Sequence, residues 1–316
     1  MSRIGLIRRT GRNMSSGTSG MIGSMIVPVV IAMIMTGCSG AEHAVKIDNA
    51  RSVSESIRDI MIRRSYSAVI SFTAWGADDD SIRAGIYEMM QDAFYESPDP
   101  RGGDYLYYQY GGYRLETESD RGLIKTSYTI RIIPDYYTTA SEEAEVDGFI
   151  MRAIEDMELS EDASEYDRIC AVRDYILRNV EYDTVHYANP GSRHTQSTAY
   201  GALKYHQAMC QGYSVLAYRL LKELGIDNRI IRGTTTVNGA PEAHGDGVFE
   251  NRMNTQSGRF FYLTGCEKPA LDDVTGTGDY FLKSDGQFAS DHVRDESYAS
   301  EEFERTYVMS EVEYIR

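Results

Sequence analysis

Two residues of this chain have the types and settings needed for thiol chemistry. Cys210 stands in Gln207-Ala-Met-Cys-Gln-Gly-Tyr-Ser214, where an irregular stretch gives way to apolar residues at helical spacing: Val215, Leu216, Tyr218, Leu220, Leu221 and Leu224. Gly225 then supplies a helix stop. A thiol that opens a helix meets unpaired amides and the positive end of the macrodipole, and both favour the nucleophilic thiolate. The matching base is His244, 34 residues downstream. In such a pair the imidazole takes the thiol proton and later hands it to the leaving amine, while a third group holds the ring's tautomer. The amide of Cys210 can serve as one oxyanion donor, with Tyr200 or Gln207 as candidates for a second. The competing reading makes Cys210 a small buried apolar residue.

From Ala199-Tyr-Gly201 through Cys210-Gln-Gly-Tyr213 and His244 to Tyr280-Phe-Leu-Lys-Ser-Asp285, the chain resembles the bacterial transglutaminase-like superfamily. Tyr166–Tyr182 is similar to the helix that precedes this core in secreted members. The resemblance covers about residues 140–300 and implies an α+β, papain-like core, in which a nucleophile helix packs on an antiparallel sheet. It implies a Cys-His-Asp triad, with Cys210 and His244 in the first two places, and it puts Tyr200 on the aromatic position of the Ala-Tyr-Gly pattern.

The third place departs from the family pattern. The family's His-Ala-Trp-Asn is here His244-Gly-Asp-Gly247, and gap-free alignment of Gly258–Leu263 puts Thr264 where the triad aspartate stands. A threonine can accept a hydrogen bond from the ring but brings no charge to an imidazolium. Two alternatives stay open: Asp246, two residues from His244 and on its strand face, and the acidic pair Asp272-Asp273 further along.

These residues need elements to hold them. Helical stripes run through Val146, Phe149, Ile150, Ala153, Ile154 and Met157, and again through Ile169, Val172, Tyr175, Ile176 and Val180. Strand-like stretches follow the cysteine helix at 228–232, 244–249 and 259–263, the order a papain-like fold requires. Before these, residues 51–135 read as a small α+β region. It has a helix over 54–64, a strand over 66–73, a helix capped by Asp78-Asp-Asp-Ser81, and strands at 105–110 and 127–133 beside a Gly111-Gly112 turn. Its many tyrosines read as structural. Residues 301–316 are left as a C-terminal segment, and His292 reads as structural; His186, His194 and His206 have no partner pattern and read as loop or surface residues.

The first 37 residues hold Arg3, Arg8, Arg9 and Arg12 and no acid, followed by an apolar run from Met21 to Met35 and then Thr36-Gly-Cys38. This is the pattern of a lipoprotein signal peptide with Cys38 as the lipidated residue, leaving 38–50 as a tether. The apolar run is shorter than the ~20 residues a spanning helix needs. The expected location is therefore the outer face of a cell membrane, held by lipid.

At 316 residues, 42% apolar and 25% charged, the chain can build a sizeable core. Its formal charge of −16, falling to −20 without the four leader arginines, argues against nucleic acid as a partner. Lipidation of Cys38 leaves Cys170, Cys210 and Cys266, an odd number in which Cys170 and Cys266 could pair. No zinc-ligand spacing occurs, and no metal or cofactor is expected. The leading expectation is a thiol enzyme acting on peptide or isopeptide amides, cell-wall peptides among the candidate substrates, with hydrolysis favoured over amine transfer. The alternative is a catalytically impaired scaffold that binds peptide or cell-wall ligands.

Overall fold

The computed structural model describes residues 3–8, 31–36, 42–47, 50–74, 78–95, 97–183, 195–237, 240–241, 248–254, 260–262, 281–289 and 292–312. They form two compact units, one ending at Ala140 and the other built from Ser141 onward.

The first unit is an antiparallel sheet with helices. Its elements are β1 (Arg3–Arg8), β2 (Ile31–Thr36), β3 (Glu42–Ile47), α1 (Ala50–Ile62), β4 (Ala68–Ala74), α2 (Asp79–Ala93), α3 (Gly103–Tyr107), β5 (Tyr110–Arg121) and β6 (Thr126–Tyr136). The strand order is β1-β5-β6-β4-β2-β3. Helix α1 buries Val53, Ile57, Ile60 and Met61 at helical spacing. As expected, Asp78 caps α2, its side chain accepting the Ser81 N–H at 2.7 Å.

Two expectations for this unit are corrected. Residues 105–107 belong to a one-turn helix rather than a strand. Gly103, at φ 58°, redirects the chain into that turn, and every residue of α3 is buried, so packing overrides the β propensity of tyrosine. The Gly111-Gly112 pair is not the hairpin turn. It lies inside β5, where the register shifts between Tyr110 and Gly112 and Gly112 takes φ 140°, the mark of a β-bulge. The hairpin closes instead over 122–125, where the Gly122 N–H donates to the Lys125 carbonyl at 2.9 Å. The tyrosine row is core, as expected: Tyr105, Tyr107, Tyr108, Tyr110 and Tyr113 are all buried, and Phe94 packs on Tyr110 at 4.6 Å between centroids.

The second unit opens with α4 (Ala140–Asp156) and α5 (Glu165–Asn179). The predicted stripes are the buried faces: Val146, Ile150 and Ala153 on one, Ile169, Val172 and Ile176 on the other. Ser164 and Asp167 form a capping box that starts α5. After β7 (Glu181–Tyr182) come α6 (Ala199–Tyr205), β8 (Gln207–Ala208) and the cysteine helix α7 (Cys210–Glu223). A sheet follows, made of β9 (Asn228–Val237), β10 (Ala240–Pro241), β11 (Val248–Asn254) and β12 (Phe260–Tyr262). After α8 (Asp285–Phe288), β13 (His292–Arg294) also pairs with β9, and α9 (Glu301–Thr306) closes the unit.

All pairings in that sheet are antiparallel, in the order β10-β9-β11-β12. Gly233 lies where β11 and β13 both meet β9, and the Val293 carbonyl occupies the space a Cβ there would need. The segment after residue 300 is no loose tail. Phe303, Tyr307 and Met309 are buried in one cluster with Ile231 and Tyr298. The Arg229 guanidinium lies over the Phe303 and Tyr307 rings at 5.6 and 4.6 Å.

Candidate active site

Cys210 is the first residue of α7, as its sequence setting predicts. The helix is buried from Gly212 to Leu221, so its N-terminus is fixed by the core beneath it. At its far end Gly225 takes φ 77° and donates to the Lys222 carbonyl, while Ile226 donates to the Leu221 carbonyl, an arrangement that stops the helix where the sequence places the stop. Arg219, 3% exposed, is neutralised by Asp147 of α4 at 2.8 Å and Glu223 at 2.9 Å. No side chain caps the start of α7 at Met209. The first-turn amides therefore present a positive electrostatic end beside a half-buried thiol.

A short 3-10 turn, Thr195–Ser197, clamps this end of the helix. The Gln196 carbonyl accepts the Met209 N–H at 2.9 Å, and the Gln211 side chain donates to the Ser197 carbonyl at 3.2 Å. The same Gln196 carbonyl fills the space that a Cβ on Gly212 would occupy. The glycine of Cys-Gln-Gly-Tyr is thus a steric requirement for seating the cysteine helix. Gly201 of Ala-Tyr-Gly does the same for the Thr195 carbonyl. Thr198 caps α6, accepting the Gly201 N–H at 3.1 Å and donating to the Thr195 carbonyl at 2.7 Å. Two glycines and one threonine so lock the turn from both sides.

The chain entering the site is held by parallel pairing of β7 with β8, Glu181 opposite Gln207 and Tyr182 opposite Ala208. Tyr213 reaches back from α7 to donate its hydroxyl to the Val180 carbonyl at 2.6 Å. The buried Asp183 donates its N–H to the Ala208 carbonyl at 2.9 Å. His206, in the left-handed region at φ 56°, turns the chain from α6 into β8, its ring nitrogen 2.9 Å from the Asn179 carbonyl.

Of the oxyanion candidates, Tyr200 is buried in α6, edge-on to Tyr205 at 6.0 Å. Burial and then the nearby Glu145 carboxylate raise its phenol above the ordinary range. Gln207 is exposed, on β8, three residues before Cys210. His244, Thr264, Asp246, Asp272 and Asp273, with Cys38, Cys266, His186 and His194, lie outside the described residues. Cys170 and Cys210 are present as thiols. Among the described residues no cluster of His, Cys, Asp or Glu is suited to a metal ion. His292 is buried on β13 opposite Thr235, a structural place. Sequence reasoning missed Gln196; only its position beside the Ser197-Thr198 cap hints that it borders the site.

Residues 155–259 match the sequence profile of the transglutaminase-like superfamily. That span holds α5, the Thr195–Ser197 clamp, the Cys210 helix and the first strands of the sheet. Over that span, about a third of the chain, the protein is similar to the transglutaminase-like superfamily. Two solved structures are similar. One, described as a TGase, is 19% identical with a TM-score of 0.33; the match covers 46% of this chain and 42% of that one, so this chain spans under half of its length. The other, from Cytophaga hutchinsonii and proposed to be a cysteine protease, is 13% identical with a TM-score of 0.28, over 74% of this chain and 70% of that one. No curated protein matches the chain.

Proposed function

We propose that this protein is a lipid-anchored thiol enzyme that cleaves peptide or isopeptide amide bonds through a thioester on Cys210. The observation that carries this reading is a half-buried thiol at the uncapped start of a core helix, inside the segment that matches the transglutaminase-like superfamily. The Cys210 thiolate attacks the amide carbonyl carbon and a C–S bond forms. The C–N bond then breaks as His244 delivers the thiol proton to the departing amine. Water resolves the thioester, since retaining an amine acceptor needs a channel that excludes water.

The orienting group is proposed to be a carboxylate downstream of β12. Asp272 is preferred to Thr264 as the partner of His244 because only a carboxylate brings a charge that stabilises an imidazolium. Location at a membrane surface rests on the leader pattern and Cys38; among the described residues no helix is long and apolar enough to cross a membrane. Removing the leader takes away β1 and β2, and leaves β4, β6 and β5 paired with Ile70, Ile130 and Ile132 buried.

Labelling with iodoacetamide and with a peptide nitrile, in wild type and Cys210→Ala, tests the reading. Selective labelling of Cys210 at neutral pH with turnover of a peptide amide supports it. A reactive thiol with no turnover points to the ligand-binding scaffold, and equal labelling of both proteins removes the activated thiol altogether.

A further inference from the structure

We infer that the first unit binds an extended peptide, which adds as a strand to the open end of β5 and sets acidic side chains in the cleft between α2 and the β5–β6 hairpin. This site belongs to the other unit from Cys210 and does not depend on the role of that thiol. The cleft, of about 360 Å3, is lined by Ile82, Arg83 and Ile86 of α2, Leu115 and Arg121 of β5, and Ile130 of β6. Ile86, Leu115 and Ile130 are buried and give it an apolar floor. Among the described residues neither the Arg83 nor the Arg121 guanidinium has a hydrogen bond or ion pair. The chain carries 48 acidic residues against 32 basic ones, so cations left without a carboxylate on two walls of one cleft suit an anion from outside. Two carboxylates also border the cleft. Asp79 lies in the first turn of α2, where the helix end offsets its charge, and Glu118 belongs by strand alternation to the opposite face of β5.

The edge beside the cleft is what selects an extended chain. β1 pairs with β5 from Gly112 to Thr117, so among the described residues Glu118–Arg121 is bonded to β6 alone. Alternate residues of such a stretch turn their N–H and C=O groups outward, where an added strand satisfies them. Under the proposed export, loss of β1 extends that open edge back to Gly112. An added strand sets alternate side chains on the cleft side, beside Ser119 and Arg121, and the others beside Glu118 and Asp120. On that second face Glu116 is paired with Arg131 at 3.5 Å, whereas Glu118 and Asp120 have no ion pair among the described residues. The charge pattern therefore fits a peptide with acidic or aliphatic residues toward the cleft and basic residues on the other face. At the tip of the same hairpin Leu123 and Ile124 are exposed, an apolar pair where turns favour polar residues, and they extend the apolar surface open to a partner.

The test titrates the full-length protein against the acetylated peptide Lys-Glu-Lys-Val-Lys, carrying a neutral fluorophore on a C-terminal linker, and reads anisotropy. The controls are the permuted peptide Glu-Val-Lys-Lys-Lys, of the same composition and charge, and two copies of the first peptide N-methylated at its even or at its odd positions. The protein variant is Arg83→Gln with Arg121→Gln; both side chains lie outside the core, and its melting curve should match wild type. Wild type is expected to bind the alternating peptide saturably and the permuted one about tenfold more weakly. The double variant should also lose about tenfold. A basic peptide held by overall charge alone would instead bind that more acidic variant at least as well. One N-methylated copy should lose binding and the other keep it, because only one set of N–H groups faces β5. Three results would each overturn the site: no saturable binding by wild type, undiminished binding by the double variant, or equal binding of both N-methylated copies. Self-association of wild type that the double variant loses would give the cleft to a second copy of the chain and overturn it too. None of these outcomes bears on Cys210, whose alkylation rate should be the same in wild type and the double variant.

Discussion

The carbonyl oxygen of Gln196 occupies the space that a side chain on Gly212 would need, two residues past the candidate nucleophile. The approach is backbone against backbone, so no rotamer change can relieve it. Gly212→Ala is expected to push the 195–197 turn off the helix, at a cost of about 1–3 kcal/mol. Gly201→Ala should act the same way through Thr195. Gly85, in α2 with open space around its Cα, is the contrast: Gly85→Ala should stabilise by about 0.4–1 kcal/mol. Urea midpoints of the three variants check the signs.

Phe303 is 1% exposed and packs between Tyr298, edge-on at 5.3 Å, and Tyr307, tilted at 4.6 Å. Phe303→Ala should cost about 3–5 kcal/mol, and truncation after Ser300 should leave the second unit unable to fold. A truncated chain with an unchanged melting curve would refute the place given to this segment.

The two thiols should separate by pH. Burial, the largest cause, pushes Cys170 above its ordinary range, so its thiolate forms later as pH rises. Cys210 stands at a helix N-terminus, which acts in the opposite direction. Alkylation followed by peptide mass mapping from pH 6 to 10 should show Cys210 modified first and Cys170 only toward the alkaline end. The reverse order would contradict both assignments.

Position 264 and the acids around it can be ranked by rate. With Asp272 as the partner of His244, Asp272→Asn should lower Cys210 alkylation and any amidase rate by orders of magnitude, as loss of a triad carboxylate does. Asp246→Asn should have little effect, and Thr264→Asp should give no gain. A gain from Thr264→Asp would return the site to position 264.

Anchoring is tested at Cys38. The wild-type protein should partition into detergent and carry lipid label, and Cys38→Ser should lose both. Lipid-labelled Cys38→Ser in the membrane fraction would remove the anchor from the proposal.

How far the sequence alone reached depends on the range of the interactions involved. The start of α7 at Cys210, its stop at Gly225, the Asp78 cap and the buried stripes of α4 and α5 were all readable, because caps, glycine stops and 3.6-residue periodicity act within a few residues. The tyrosine stretch at 105–107 has strand propensity, which is local, whereas burial of the whole α3 turn is a tertiary effect that outweighs it. Gly111-Gly112 carried a turn signal, and only pairing with β6 made it a bulge. The same holds at the site. The sequence singled out Cys210 as candidate nucleophile, the helix it opens and the family resemblance that points to His244. Tertiary structure alone decided that Gly201 and Gly212 are there for backbone contact and that the 195–197 turn clamps the helix. Those are contacts between residues 6 to 16 positions apart, and no local pattern encodes which backbone will meet which.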